Sequence, residues 1–225
     1  ANLHVHSAFS DGQFTPEALV LQSIQRGIKV LGISDHYFTR KTLSIRPEML
    51  EKYIEELERL TEVYKDRVRI LKAIEINTLE HFLLNLDLPP ISLMERLDYV
   101  LLEYVTNIPR AGIPLRHTVL IANDIPVQCC LAHTDLSMAF PDLEPEILLT
   151  KLTEADLFVE LNESYRRPGE RQPFYDHYKP YLTCDQVEKL KLSVGSDCHQ
   201  QIIGPSSRAI HFLMSMNLEH NLFYL

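Results

Sequence analysis

The sequence has no apolar run that approaches the ~20 residues a membrane-spanning helix requires. Its first residues read ANLHVHSAFSDG, which offers neither the basic head nor the apolar stretch of a secretory signal. From these absences we expect a cytoplasmic protein without a membrane segment. Low-complexity stretches and linkers rich in glycine or serine are also missing, so we expect a single domain over residues 1–225.

Cysteine is scarce, and no two cysteines have the C-x-x-C spacing. Two of the four, Cys129 and Cys130, are adjacent, which argues against a simple ladder of disulfides. We therefore predict reduced thiols, and the spacing disfavours a zinc ribbon or a thioredoxin-type redox site.

Positive charge is also in short supply. The chain has 22 Lys and Arg against 31 Asp and Glu, which gives a formal net charge of -9. That balance argues against non-specific nucleic-acid binding, which needs a basic surface. An acidic protein that acts on an anionic substrate needs a local source of positive charge, and bound metal ions would supply it.

The chain does contain a regular alternation of short apolar runs with longer amphipathic segments. The predicted strands are Leu3–His6, Lys29–Ser34, Val68–Ile76, Tyr99–Val105, Val127–Ala132, Leu157–Leu161 and Leu192–Ser196. Helices are predicted at Thr15–Gly27, Pro47–Lys65, Leu115–Asn123 and Glu144–Thr153, at Tyr175–Lys189 with a break near Pro180, and in the tail after Pro205. Such alternation is typical of βα units with parallel strands, and seven of them favour a (β/α) barrel. An open doubly wound sheet is the alternative.

Histidines and carboxylates lie at the ends of these predicted strands. His4-x-His6 puts two imidazoles on one face of the first strand, because side chains alternate with a period of two. Asp197-x-His199 repeats the spacing after the last strand. The other members of the set are Asp11, His36, Glu75 and His133. The loops after the strands of a parallel barrel converge at one face, so these side chains are expected to meet.

Imidazole and carboxylate together suit zinc, manganese or iron, and a carboxylate such as Glu75 can bridge two ions. Each residue alone has an ordinary alternative: a lone histidine is more often exposed or hydrogen-bonded than a ligand, and Glu75 could be salt-bridged. The set is stronger than its members, because five of the ten histidines fall at predicted strand ends. We therefore predict a metal centre.

At these motifs the sequence resembles the PHP family, named for polymerase and histidinol phosphatase. The matching segments are LHVHSAFSDG at Leu3–Gly12, ISDH at Ile33–His36, Glu75, AHTD at Ala132–Asp135, and GSDCH at Gly195–His199. The resemblance covers nearly the whole chain and implies an α/β fold, a distorted (β/α)7 TIM-like barrel with two or three divalent ions. It implies three ligand sets: His4, His6, Glu75 and Asp197; Asp11, His36 and His199; and Glu75 with His133, Glu75 being the bridge.

One departure from the family pattern concerns the end of the fourth predicted strand. Family members usually carry a histidine there, whereas ungapped counting places Val105 at that position. Glu103 faces the same side as Val105 by the period of two, and an unpaired buried glutamate would be costly. Glu103 is therefore the candidate substitute ligand. The alternative is a salt bridge from Glu103 to a neighbour such as Arg110 or Arg116.

The resemblance and the ligand set together predict a metal-dependent phosphoesterase that acts on a small phosphorylated substrate. The ions would polarise the phosphoryl oxygens, and a water whose pKa they lower would attack phosphorus. Asp11 or His199 would protonate the leaving oxygen, and Arg167 and Arg208 are the candidates for binding phosphate. Two other interpretations stay open: a PHP-type metal-binding module without turnover, and a metallohydrolase of other substrates. The sequence decides neither the metal (Zn, Mn or Fe) nor the oligomeric state.

Overall fold

The computed structural model describes residues 1–84, 88–200 and 203–224. Its strands are β1 (Val30–Tyr37), β2 (Arg69–Asn77), β3 (Tyr99–Glu103), β4 (Cys129–Leu131), β5 (Leu157–Asn162) and β6 (Leu192–Gly195). Each strand pairs in parallel with the next along the chain, in the order β1-β2-β3-β4-β5-β6. The sheet curls into a half-barrel, which confirms the predicted α/β class and the parallel strands.

The first predicted strand, Leu3–His6, forms isolated bridges instead of a full strand of the sheet. Asn2 pairs in parallel with Leu31 of β1, and Val5 pairs in parallel with Cys198 beyond β6. The segment therefore connects the two edge strands, an arrangement consistent with a distorted barrel and unlike an open sheet with two free edges. The described residues contain six strands and one bridged segment, so the predicted count of seven strands is not confirmed.

Helices cover the strands on the outside. They are α1 (Pro16–Gln25), α2 (Leu50–Tyr64), α3 (Thr78–Leu84), α4 (Ile91–Met94), α5 (Leu115–Asn123), α6 (Leu136–Ala139), α7 (Pro145–Glu154), α8 (Lys179–Leu182) and α9 (Ser207–Ser215). Short 3-10 turns lie at Pro47–Met49, Phe174–Tyr178, Asp185–Lys189 and Glu219–Asn221. Helix α1 begins as its sequence predicts: Thr15 Oγ1 accepts a hydrogen bond from the Ala18 amide, and Pro16 occupies the first turn.

The predicted helix over Tyr175–Lys189 is broken in the structure, near Pro180 as the sequence suggests and again at Cys184. The segment forms a 3-10 turn, then α8, then a second 3-10 turn. Pro180 has no amide hydrogen to donate to the turn before it, and it lies in the first turn of α8, where that hydrogen is not needed. Cys184 then adopts an extended backbone with ψ 152°, which separates α8 from the last turn.

A single cluster of buried apolar side chains runs from Leu3 to Tyr224. A single domain over residues 1–225 stays a prediction. Among the helices that the structure describes, none has both the length and the apolar character needed to cross a bilayer.

Candidate metal centre

The carboxyl ends of the strands carry the predicted site residues to one place. The parallel register puts His36 of β1 beside Glu75 of β2, and Asp197 follows β6. Three groups of side chains have ligand atoms within 4.8 Å of one another. The groups are His4, His6, Glu75 and Asp197; His6, Asp11, His36 and His199; and His36, Glu75 and Glu103.

The first group surrounds the two imidazoles of the bridged N-terminal segment. The Nε2 atoms of His4 and His6 lie 3.1 Å apart, and His6 Nε2 is 2.8 Å from Asp197 Oδ1. His4 Nε2 is 3.4 Å from Glu75 Oε1. Imidazole nitrogens and carboxylate oxygens that converge in this way could hold one divalent cation.

The second group lies nearer the surface. His199 Nε2 is 3.1 Å from Asp11 Oδ1, and His36 Nε2 is 3.8 Å from Asp11 Oδ2. The rings of His6 and His199 stack with centroids 4.1 Å apart. His6 therefore adjoins the second group as well as the first, which the family resemblance does not imply.

Glu75 lies at the centre of the cluster. Its Oε2 is 3.0 Å from His36 Nδ1, and its Oε1 is 3.2 Å from His133 Nε2. His133 thus contacts the cluster through Glu75, although it is not a member of the three compact groups. The two oxygens of Glu75 face different sides of the cluster, as a bridging ligand requires, and bridging itself stays a prediction.

Glu103 is buried against this cluster, with 1% of its surface exposed. Burial, followed by the charge of Glu75, raises the pKa of Glu103 to about 7. Within the described ranges its ion pair is with Lys41, whose Nζ lies 3.7 Å from Glu103 Oε2. The alternative that Glu103 is salt-bridged to a neighbour therefore holds, with Lys41 as the partner in place of Arg110 or Arg116.

The strand pattern that linked Glu103 to Val105 does not extend as far as predicted. Strand β3 ends at Glu103, and Tyr104 has a left-handed backbone with φ 61°. Alternation with a period of two holds only while the chain stays extended. Val105 instead pairs with Ile113 in an isolated bridge, so Glu103 reaches the cluster from the last residue of the strand.

The charges of the cluster stabilise one another. Burial opposes ionisation of Glu75, but the imidazoles around it, first that of His4, outweigh burial and hold its pKa well below the usual value. Burial likewise opposes the charged form of His199, yet the hydrogen bond to Asp11 and the nearby carboxylates raise the pKa of His199 to about 9. The carboxylate of Glu75 is therefore an anion at neutral pH, as a cation ligand must be.

Several buried atoms of the cluster form no hydrogen bond of acceptable geometry, although His36 Nδ1 and Glu75 Oε2 lie 3.0 Å apart and Asp197 Oδ1 lies 2.8 Å from His6 Nε2. They are His6 Nδ1, His36 Nδ1, Glu75 Oε2, Glu103 Oε1 and Asp197 Oδ1. Buried polar atoms left without a partner are destabilising, and native structures contain few of them. Divalent cations among these nitrogens and oxygens would supply the missing partners, so the residues fit the metal ions that the resemblance implies.

Glu160 of β5, which is fully buried, supports the cluster from behind. Its Oε1 is 3.0 Å from His4 Nδ1, and its Oε2 accepts the His133 amide at 2.6 Å. A carboxylate on the far nitrogen of an imidazole fixes which nitrogen faces a metal. Gly195 is required here because a Cβ atom at that position would collide with the Glu160 carboxylate and with His4 Cβ.

Asp35 of β1 holds the loop that leads to Asp11. Its Oδ1 accepts the Ser7 amide at 2.8 Å and the Ser10 amide at 3.1 Å, and both serine hydroxyls also donate to the carboxylate. Because these groups are buried, Asp35 satisfies donors that would otherwise have no partner. Neither Glu160 nor Asp35 belongs to the predicted ligand set.

Replacing Asp35 with alanine should lower the free energy of unfolding by about 2 kcal/mol, because the Ser7 and Ser10 donors lose their acceptor in a buried place. Asp35→Asn should cost less than half as much, since an amide oxygen can replace Oδ1 and the amide nitrogen can donate to Ser7 Oγ. Urea unfolding of the metal-free proteins measures both. Equal stability of the two variants and the parent would contradict this role.

The two arginines predicted to bind phosphate are engaged with carboxylates. Arg167 forms two hydrogen bonds with Asp135, at 2.6 and 2.9 Å. Arg208 pairs with Asp176 at 3.1 Å. Asp135 lines a cavity of about 420 Å³ beside His133, so Arg167 is adjacent to the cluster. Phosphate binding by either arginine stays a prediction.

Tyr165 closes one side of the cluster. Its ring stacks on His133 with centroids 4.3 Å apart, and its hydroxyl donates to Asp197 Oδ2 at 2.7 Å. The backbones of His133 and Asp197 are both left-handed, with φ 30° and 50°. Such conformations are uncommon away from glycine and tend to occur at functional sites.

The parallel half-barrel, whose strand ends gather imidazoles and carboxylates, defines an α/β protein with a candidate metal centre. A family profile described as "PHP domain" matches residues 2–165. The chain therefore belongs to the PHP family. A search of curated proteins returned no match.

Solved structures share this fold at low sequence identity. Histidinol phosphate phosphatase from Lactococcus lactis, complexed with zinc, L-histidinol and phosphate, has a TM-score of 0.60 at 18% identity, over 98% of this chain and 92% of that one. A putative histidinol phosphatase from Listeria monocytogenes has a TM-score of 0.59 at 16% identity, over 92% and 98%. A third structure belongs to the metal-dependent tyrosine phosphatases YwqE from Bacillus subtilis and CpsB from Streptococcus pneumoniae. Its TM-score is 0.57 at 14% sequence identity, over 98% of this chain and 88% of that one.

Proposed function

We propose that this chain is a metal-dependent phosphoesterase. The observation that carries the proposal is the set of three ligand groups at the strand ends, with buried nitrogens and oxygens that lack hydrogen bonds. Membership of the PHP family and the phosphatase names of the structural neighbours support it. The substrate is proposed to be a small phosphate ester, since one neighbour is complexed with L-histidinol and phosphate.

Two or three divalent ions, Zn, Mn or Fe, are proposed for the cluster. Their ligands would be His4, His6, Asp11, His36, Glu75, Glu103, His133, Asp197 and His199. When bound, such ions supply Lewis acidity to phosphoryl oxygens and lower the pKa of the attacking water. The side chain of Glu75 is fully buried, whereas those of Asp11 and His199 are 23% and 27% exposed. Asp11 and His199 are therefore the most exposed of the proposed ligands, and we assign protonation of the leaving oxygen to whichever of them is not bound to an ion.

The proposal is tested with an aryl phosphate monoester and chelator-treated protein. We expect no turnover without metal and recovery of at least about 10²-fold on addition of manganese or zinc, because the proposed attack by a metal-activated water stops when the ions are removed. An aryl acetate serves as the control substrate. Full metal occupancy without hydrolysis of any phosphate ester would leave a metal-binding module, and preferential hydrolysis of the acetate would indicate a metallohydrolase of carbonyl substrates.

A further inference from the structure

Lys41 is a cation at the edge of the metal cluster that belongs neither to the ligand set nor to the predicted phosphate binders. It lines the cavity of about 420 Å³ together with His133 and Tyr165. Among the lining residues that the structure describes, Lys41 is the only lysine or arginine. A phosphate that approached the cluster through this cavity would therefore meet one positively charged side chain.

The loop that carries Lys41 is anchored on both sides. The Arg40 amide donates to Glu80 Oε2 at 2.8 Å, which ties the loop to α3. Thr42 Oγ1 donates to Asp11 Oδ2 at 2.7 Å, which ties it to the cluster itself. Because the backbone on each side of Lys41 is held, only the side chain has to be ordered when an anion binds, and the entropic cost is small.

The ammonium of Lys41 lies between a buried carboxylate and the open cavity. Nζ is 3.7 Å from Glu103 Oε2 and 4.6 Å from the centroid of the Tyr104 ring. The side chain of Lys41 is 52% exposed, whereas that of Glu103 is 2% exposed. A lysine ammonium has three donors. One goes to the Tyr104 hydroxyl and one can go to Glu103, which leaves one for an anion in the cavity.

The other cations near the cluster are less available. Arg167 donates two hydrogen bonds to Asp135, and Arg208 pairs with Asp176. Each guanidinium would have to leave its carboxylate before it could bind phosphate. Lys41 needs no such exchange, because its partner Glu103 is itself a proposed ligand for a cation.

We infer that Lys41 binds the phosphate group of the substrate and thereby favours phosphate monoesters over diesters. The inference rests on the proposed phosphoesterase function. Near neutral pH a monoester carries up to two negative charges and a diester one, and the attraction of a fixed cation grows in proportion to that charge. Removal of Lys41 should therefore weaken the binding of a monoester more than that of a diester.

The test compares metal-loaded parent protein with Lys41→Met, Lys41→Arg and the matched control Arg40→Met, whose side chain is exposed one residue away. Calorimetry with inorganic phosphate measures the affinity for the anion. The metal content of each protein is measured as well. Lys41→Met should weaken phosphate binding and raise KM for an aryl phosphate monoester by roughly ten-fold to a hundred-fold, the range for a charge-assisted hydrogen bond. The KM for the corresponding diester should change less, and kcat should stay within about three-fold. Lys41→Arg should retain most of the affinity, and Arg40→Met all of it.

Three results would overturn the inference: parent protein that binds no phosphate, Lys41→Met with the phosphate affinity of Arg40→Met, or Lys41→Met that has lost metal. Equal losses for monoester and diester would refute the proposed preference. Phosphate binding with the expected pattern, but without turnover of either ester, would refute the phosphoesterase proposal and still support Lys41 as the anion-binding residue.

Discussion

Replacing Glu75 with glutamine should lower hydrolysis of an aryl phosphate by at least about 10³-fold, or roughly 4 kcal/mol of transition-state stabilisation. Glu75 belongs to two of the three ligand groups, and its oxygens face His36 and His133. Glutamine keeps the shape of the side chain but loses the charge, and its amide nitrogen is a donor that cannot bind a cation. Metal content after desalting should fall together with kcat/KM.

The matched control for this variant is Glu55→Gln, which removes the same charge from an exposed position on α2. It should leave metal content and turnover unchanged, because an exposed charge far from the cluster is screened by solvent and salt. Circular dichroism of Glu75→Gln checks that the fold is retained. Full metal content with unchanged turnover in Glu75→Gln would remove Glu75 from the centre of the site.

The apolar runs predict all six strands of the sheet, because strands covered on both faces are apolar nearly throughout. Their ends are harder to predict. The predicted strand Lys29–Ser34 stops before Asp35, whereas β1 runs on to Tyr37. A polar residue after an apolar run usually indicates that the strand has ended. Here Asp35 is buried and accepts hydrogen bonds from Ser7 and Ser10, so the strand continues through it. The partners that allow it to stay in the strand come from elsewhere in the chain.

The groups of the candidate metal centre could be predicted because their residue types recur at strand ends, and parallel strands carry their ends to one face. The structure brings His4, His36, Glu75 and Asp197 together as the motifs require. The contact between Glu103 and Lys41 could not be predicted from spacing. It depends on the loop after β1 folding across β3, and no local pattern in the sequence specifies that approach.

Glu160 was missed because its sequence context, LFVELN, is that of an ordinary buried strand. The same argument that selected Glu103 applies to it: an ionisable side chain in an apolar strand is costly unless it has a partner. The apolar context of Glu160 therefore indicates that its carboxylate has a partner. It does not identify that partner, because His4 lies 156 residues away in the sequence.

Replacing Glu160 with glutamine should weaken metal binding by roughly ten-fold to a hundred-fold, as expected when the carboxylate behind a ligating histidine is lost. Oε1 of Glu160 faces His4 Nδ1 and accepts from Asn162 Nδ2 at 2.8 Å, and Oε2 accepts the His133 amide. A glutamine amide would therefore direct its donor nitrogen at another donor in either orientation. The free energy of unfolding should fall by about 2 kcal/mol for the same reason.

Two measurements separate this positioning role from simple destabilisation. Metal affinity is determined by competition with a chelator at a temperature where the variant is fully folded, and urea unfolding is measured with and without metal. The control Glu154→Gln removes an exposed carboxylate from α7 and should change neither quantity. If Glu160→Gln loses stability but binds metal as tightly as the parent, Glu160 supports the fold alone and the orientation of His4 has another source. The other outcome is that metal affinity falls while the metal-free protein keeps its stability. In that case Glu160 orients His4 without stabilising the fold. The loss of affinity then arises because the His4 imidazole is free to turn its other nitrogen toward the ions.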